Sequence, residues 1–273
     1  MNLKNMLILN QGLPYFKLFN VNLVENTINN LILEQHNKFT DLESKLSNEV
    51  DNNNLYNLAI YETEKIEYPL SFAWSVISHL KAVKSNDDLR EVYNKCLPNV
   101  IKESSYMSQS VPLFKAFEKL KNMDSLNEVQ KRIIDSSYKS MYLSGINLEG
   151  DNKNEFNDIK VKLSELSNKF SNNILDYVKD FKMTVTSENL NMKKMPSYAL
   201  ELYSQNAKSK YPDSTPENGP WVITLDIPSY LPFMSHYPES DLREKLYKSY
   251  ITKASSDDKN NLPIIIEILT LKK

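Results

Sequence analysis

The stretch FNDIKVKLSELSNKFSNNILDYVKDF, residues 156–181, decides the fold class. Its apolar residues Phe156, Ile159, Leu163, Leu166, Phe170, Ile174, Tyr177 and Phe181 step by three or four throughout. A helix turns about every 3.6 residues, so this spacing draws one apolar stripe down one side. Lys, Glu, Asn and Asp fill the other side. The pattern predicts a helix of about seven turns.

The same period recurs upstream. Val24, Ile28, Leu31, Phe39, Leu42 and Leu46 mark a helix in which Gln35 fills the gap. Asp51-Asn52-Asn53-Asn54 reads as a polar loop. Pro69 reads as the first turn of a second helix, with Leu70, Trp74, Ile77 and Leu80 on one side. Ser85 and Asp88 have capping-box spacing before Leu89, Val92, Tyr93 and Cys96, and Pro98 is expected to end or kink that helix. Ser125 and Glu128 repeat the spacing before Val129, Ile133, Ile134, Tyr138 and Met141, with Gly145 as the stop.

Two segments read as extended. Residues 181–187 alternate and are rich in β-formers, and so are residues 221–227, bounded by Pro220 and Pro228. They are expected to form a small antiparallel pair, with a surface loop at Tyr211 to Pro220. A further helix is expected from about Pro238 to Thr252. The polar stretch Ser255 to Asn261 follows, then the apolar run Ile264-Ile265-Ile266-Glu267-Ile268-Leu269. A segment this apolar is expected to lie inside a larger protein.

Composition narrows the function classes. A net charge of −2 gives no electrostatic case for nucleic acid or an anionic membrane. No apolar run reaches the length of a membrane span, and Met6-Leu7-Ile8-Leu9 is too short for a signal h-region. One cysteine, Cys96, rules out a disulfide within the chain and suits a reducing compartment. Gly12, Gly145, Gly150 and Gly219 are too scattered for a nucleotide-binding loop.

No complete active site is legible. His36, His79 and His236 include no pair four apart, so no helical zinc pair exists. His36 reads as solvated surface, His79 as a packed or capping residue, and His236 as a turn residue beside Tyr237-Pro238. Cys96 reads as a buried small hydrophobe and Trp74 and Trp221 as core. The acidic doublets Asp87-Asp88 and Asp257-Asp258 read as caps or solvated loops. Tyr198, Tyr203, Tyr211, Tyr230 and Tyr237 are divided between ordinary partial burial and a peptide-lining role.

Four stretches carry a resemblance. The first runs from Pro69-Leu70-Ser71-Phe72-Ala73-Trp74 through Ser78-His79-Leu80 and Asp88-Leu89-Arg90 to Leu97-Pro98. The others are Leu143-Ser144-Gly145-Ile146-Asn147-Leu148, Leu163 to Asp176, and Leu225 to Met234 followed by Leu242-Arg243-Glu244. Leu13-Pro14-Tyr15-Phe16 resembles the family's start. In order and spacing the chain resembles zinc oligopeptidases of the thimet oligopeptidase/oligopeptidase A family, most closely the bacterial branch.

The resemblance implies a mostly α fold: the helical amino-terminal lobe of a two-lobed channel peptidase, with the small β element. It implies a helical domain over residues 1–218, with its family core at about 20–148, and the truncated start of the catalytic peptidase domain over 219–273. It implies zinc in the full-length family, held by a His-Glu-x-x-His helix and a later glutamate. That motif does not occur in these 273 residues, so no catalytic, cofactor or metal residue is carried over, and no zinc is expected to be bound by this chain. Short peptides are the implied partners and the cytoplasm the implied location. The alternatives are a non-catalytic helical module that binds peptides or a partner, and a half that complements a separately encoded catalytic half.

Overall fold

The structure is a computed structural model that describes residues 13–48, 51–186 and 188–273. The apolar run at residues 6–9 and Gly12 lie outside the described residues. The fold is mostly α-helical with one small antiparallel sheet, as the periodicities and the resemblance implied.

Helix α1, Val24–Ser47, buries Val24, Ile28, Leu31, Gln35, Phe39 and Leu42 on one side. The Gln35 amide is not orphaned there, because its Nε2 donates to Met107 Sδ at 3.0 Å. Two corners of the core form along this helix. Val24, Ile28 and Leu31 pack with Leu70, Ala73, Ile77, Leu89 and Cys96. Phe39 and Leu42 pack with Leu55, Ala59, Met107, Phe117, Leu120 and Ile134.

The loop expected at residues 51–54 is instead the start of a helix. Asn54 and Leu55 donate to the Asp51 carbonyl at 2.9 and 3.1 Å, which opens α2, Asn52–Tyr56. The chain then winds through a π-helical segment, Asn57–Glu62, into α3, Thr63–Val83. Pro69 therefore lies within α3 rather than opening it. A proline inside a helix loses one ladder bond and costs about 3 kcal/mol. Burial of Ala59 and Ile60 before it and Leu70 and Ala73 after it outweighs that loss.

Pro98 is likewise inside a helix, α4, Asp87–Ser108, where Cys96 and Leu97 on one side and Met107 on the other are buried. The α4 cap is Asn86, whose side chain accepts from Leu89 N at 2.8 Å, rather than Ser85. Ser85 Oγ instead accepts from Arg90 Nε at 2.7 Å. Helix α5, Val111–Lys121, begins at Ser110 and buries Leu113, Ala116, Phe117 and Leu120. Helix α6, Glu128–Leu143, has its capping box at Asn127 and Gln130, not at Ser125 and Glu128. Both reciprocal bonds are present, at 2.9 and 3.0 Å.

Gly145 does stop α6. Ile146 N donates to Met141 O at 3.4 Å and Gly145 N to Tyr142 O at 3.2 Å, the pair of bonds of a Schellman cap. Gly145 holds φ at +85°, and a Cβ there would stand 3.1 Å from the Phe156 ring and from Leu148. Gly145→Ala is expected to cost about 1–2 kcal/mol, from the left-handed backbone and the crowding. Urea denaturation of this variant would show a lowered midpoint; an unchanged midpoint contradicts the cap.

Helix α7, Gly150–Asp180, realises the deciding stretch over 31 residues. Only Leu166 of its stripe is fully buried among the described residues; Phe156, Ile159, Leu163, Phe170, Ile174 and Tyr177 are half-buried. By contacts the chain divides into two compact units, Met1–Glu165 and Leu166–Lys273.

In the second unit, β1, Met183–Val185, pairs antiparallel with a strand at Trp221–Ile223 in the register Met183↔Ile223 and Val185↔Trp221. Between them, α8, Ser197–Ala207, buries Ala199, Tyr203 and Ala207. The second strand, β2, Trp221–Ile223, is shorter than the 221–227 expected. Thr224 ends it: its hydroxyl pairs with the Asp226 carboxylate, and its N–H donates to Ser229 Oγ at 2.8 Å. Helix α9, Ile227–His236, begins there with Pro228 in its first turn, where no N–H is needed. Helix α10, Ser240–Ile251, matches the expected span, and α11, Leu262–Leu271, holds the final apolar run.

Candidate functional site

The three histidines lie on separate elements. His79 is exposed on α3, not packed, and His236 is the exposed last residue of α9. His36 is not merely solvated: its Nδ1 lies 3.1 Å from Glu103 Oε2, and its ring rests on Tyr106 with centroids 4.4 Å apart. Among the described residues no group of three or more His, Cys, Asp or Glu side chains could hold a metal ion. The donors present do not fit the zinc that the resemblance implies, so no hydrolytic step is assigned to them.

Cys96 is buried in the α1–α3–α4 core, and burial pushes its thiol up to about 11. A thiol that stays protonated is a packing residue rather than a nucleophile. Trp221 is buried, while Trp74 is half-buried and stacks on Tyr93 with centroids 4.4 Å apart. Tyr203 and Tyr237 are core residues, and burial raises both hydroxyls above the ordinary tyrosine range. Asp87 and Asp88 occupy the first turn of α4, where the helix dipole favours them.

The polar chemistry concentrates where α1, α4, α5 and the start of α7 meet. Tyr106 hydroxyl donates to Glu43 Oε2 at 2.6 Å, and Ser110 Oγ donates to Glu43 Oε1 at 2.5 Å. Ser110 also caps α5, accepting from Leu113 N at 3.3 Å. Gln109 and Asn157 exchange two amide bonds, at 2.8 and 3.2 Å, and Gln109 also donates to Ser144 O at 2.9 Å. This network borders a pocket of about 490 Å³ that Lys102, Ser105, Lys153 and Val161 also line. A second pocket, about 390 Å³, lies under the π segment, with Ala59, Ile60, Phe117 and Met141 as its floor and Glu64, Glu67 and Ser137 among its lining.

Glu103 is a buried carboxyl beside this network. It is 6% exposed, and its Oε1 has no hydrogen-bond partner. Burial raises its carboxyl above the ordinary glutamate value, and the His36 interactions only partly oppose that. The folded chain therefore holds this proton more tightly than the unfolded chain does. The resulting stability is full below the unfolded value of about 4.3 and is lost as pH rises through the folded value. Glu103→Gln is expected to melt higher than the parent at pH 8 and to show no such gain at pH 4. Equal shifts at both pH values in calorimetry would contradict the assignment.

Residues 28–153 match the family described as Neurolysin/Thimet oligopeptidase, N-terminal domain. The chain is 41% identical over 213 residues to a probable cytosolic oligopeptidase A of Arabidopsis thaliana, covering 77% of this chain and 30% of that protein. It is 35% identical over 229 residues to oligopeptidase A of Salmonella typhimurium, covering 78% of this chain and 33% of the relative. It is 32% identical over 280 residues to oligopeptidase A of Haemophilus influenzae, covering 100% and 39%. The chain thus matches the amino-terminal portion of proteins of the thimet oligopeptidase/oligopeptidase A type, and it spans about a third of the length of these relatives.

Among the described residues the histidines and the acidic doublets lead to no site. Sequence reading gives no role to Glu103 and Ser105, whose Oε1 and Oγ are buried without partners. Their only sequence signal is a polar residue on the apolar side of α4.

Proposed function

We propose that this chain forms the helical wall of a zinc-dependent metalloendopeptidase that cleaves short peptides in a channel in the cytoplasm. The observation that carries the reading is the alignment of the chain with the amino-terminal part of several oligopeptidases A. On this reading residues 219–273 open the peptidase domain, and the zinc-binding helix belongs to sequence other than these 273 residues. The chain alone is then inactive. No helix among the described residues is long and apolar enough to cross a membrane.

The test is turnover of an internally quenched short peptide with zinc supplied. The purified chain is expected to give none, and addition of a polypeptide carrying the catalytic part of an oligopeptidase A is expected to restore it. Chelator-sensitive turnover by the chain alone would overturn the reading. The exposed side of α11, with Leu262, Ile266 and Leu269 more than half exposed, supports a second reading, a half that complements a separate catalytic half.

A further inference from the structure

We propose that the 490 Å³ pocket of the first unit binds the terminal carboxylate of a short peptide. The ligand class rests on the proposed function; the site rests on four features of the pocket itself. The first is charge. Lys102 and Lys153 line the pocket against one carboxylate, Glu43, which leaves one positive charge in excess. Neither lysine is paired with a carboxylate among the described residues. A monoanion balances the site; a dianion overshoots it.

The second feature is an unused donor. Ser105 lines the pocket and is 4% exposed, yet its hydroxyl has no partner. A helical serine ordinarily bonds back to the carbonyl one turn earlier. A buried hydroxyl without a bond costs about 1–3 kcal/mol, and an accepting oxygen in the pocket removes that cost.

The third is the opening of α5. Ser110, Val111 and Pro112 line the pocket and are the cap and first residues of that helix, whose positive dipole end favours an anion. Glu43 accepts from Tyr106 and Ser110, so both its oxygens are engaged, and its charge counts against the ligand in the balance above.

The fourth is the apolar wall. Val111, Pro112 and Val161 give the pocket a lining that a bare inorganic ion would leave unused, whereas the side chain of a terminal residue would bury it.

The experiment is calorimetric titration of the full 273-residue chain with acetyl-Ala-Leu and, separately, with its C-terminal amide, in buffer containing chelator. The acid is expected to bind at least tenfold more tightly than the amide. Lys102→Gln and Lys153→Gln are each expected to weaken the acid at least threefold and leave the amide unmoved, with melting temperature unchanged because neither side chain is buried. Ser105→Ala is expected to weaken the acid and to preserve or raise stability. Equal binding of acid and amide, or no binding of the acid, overturns the proposal. Inorganic phosphate that binds as tightly and displaces the acid overturns the carboxylate assignment. The acid–amide comparison needs no variant and no hydrolysis, so it fails or succeeds independently of the turnover test.

Discussion

Trp221→Ala is expected to destabilise the second unit by about 3–5 kcal/mol, the range for removing a fully buried large aromatic. Trp221 is 1% exposed and sits at one end of the two-stranded pairing, opposite Val185. Its core partners include Met183, Met192, Tyr203, Phe233 and Leu246. The indole also fastens the preceding loop, because Nε1 donates to Pro216 O at 3.1 Å. Gly219 is folded over the ring so closely that a Cβ there would lie 2.7 Å from it. The substitution therefore opens a cavity and releases the loop together. Amide exchange across Ala199–Ala207, which packs on this strand, is the measurement. Protection there is expected to fall by at least a hundredfold, since about 1.4 kcal/mol corresponds to a factor of ten. A change smaller than tenfold would show that Trp221 is not the keystone of this core. Trp221→Phe, which keeps most of the apolar volume but loses the indole N–H, is expected to cost less than half as much.

How much of this was legible beforehand depended on the range of the interaction that decides each feature. The long helix α7 and the strand pair were readable because their periodicity is local and uninterrupted. Both strands were overextended, the first beyond Met183–Val185; the second stops at Ile223 because Thr224 closes a turn on Asp226 and Ser229, contacts that no alternation reveals. The caps of α4 and α6 were each misplaced by one or two residues, since serine and asparagine near the true start offer the same chemistry.

Pro69 and Pro98 were misread for a different reason. Their local cost is real, but buried neighbours on both sides of each proline supply more than it takes away. Helix α5 went unread although Leu113, Ala116, Phe117 and Leu120 carry the period, because eleven residues opening on a proline give it little span to declare itself. The candidate pocket was the least legible part. Glu43, Lys102, Ser105 and Lys153 come from three separated stretches, and only the packing of α1, α4 and α7 brings them to one wall. The family, by contrast, was readable because order and spacing over the whole chain are preserved even where single motifs are weak.

Phe39→Ala is expected to cost the first unit about 3–5 kcal/mol by the same cavity argument, and it tests whether fold and pocket are coupled. Phe39 is 0% exposed and belongs to the cluster of Leu42, Leu55, Ala59, Phe117 and Leu120. It also meets the Tyr106 ring edge-on, with centroids 5.9 Å apart. Tyr106 in turn donates its hydroxyl to Glu43 at the wall of the pocket. Removing the Phe39 ring takes away one of the surfaces that fix Tyr106, so the hydrogen bond to Glu43 loosens with the core. Phe39→Leu refills much of the volume and is expected to cost about 1–2 kcal/mol, leaving a folded protein in which that coupling can be read. Its urea midpoint should fall modestly, and the acid–amide discrimination of the pocket should shrink, because a freed Glu43 oxygen competes with the ligand for Lys102 and Lys153. A Phe39→Leu protein that keeps full discrimination would separate pocket from core. A Phe39→Ala protein that loses less than about 1 kcal/mol would contradict the packing on which both depend.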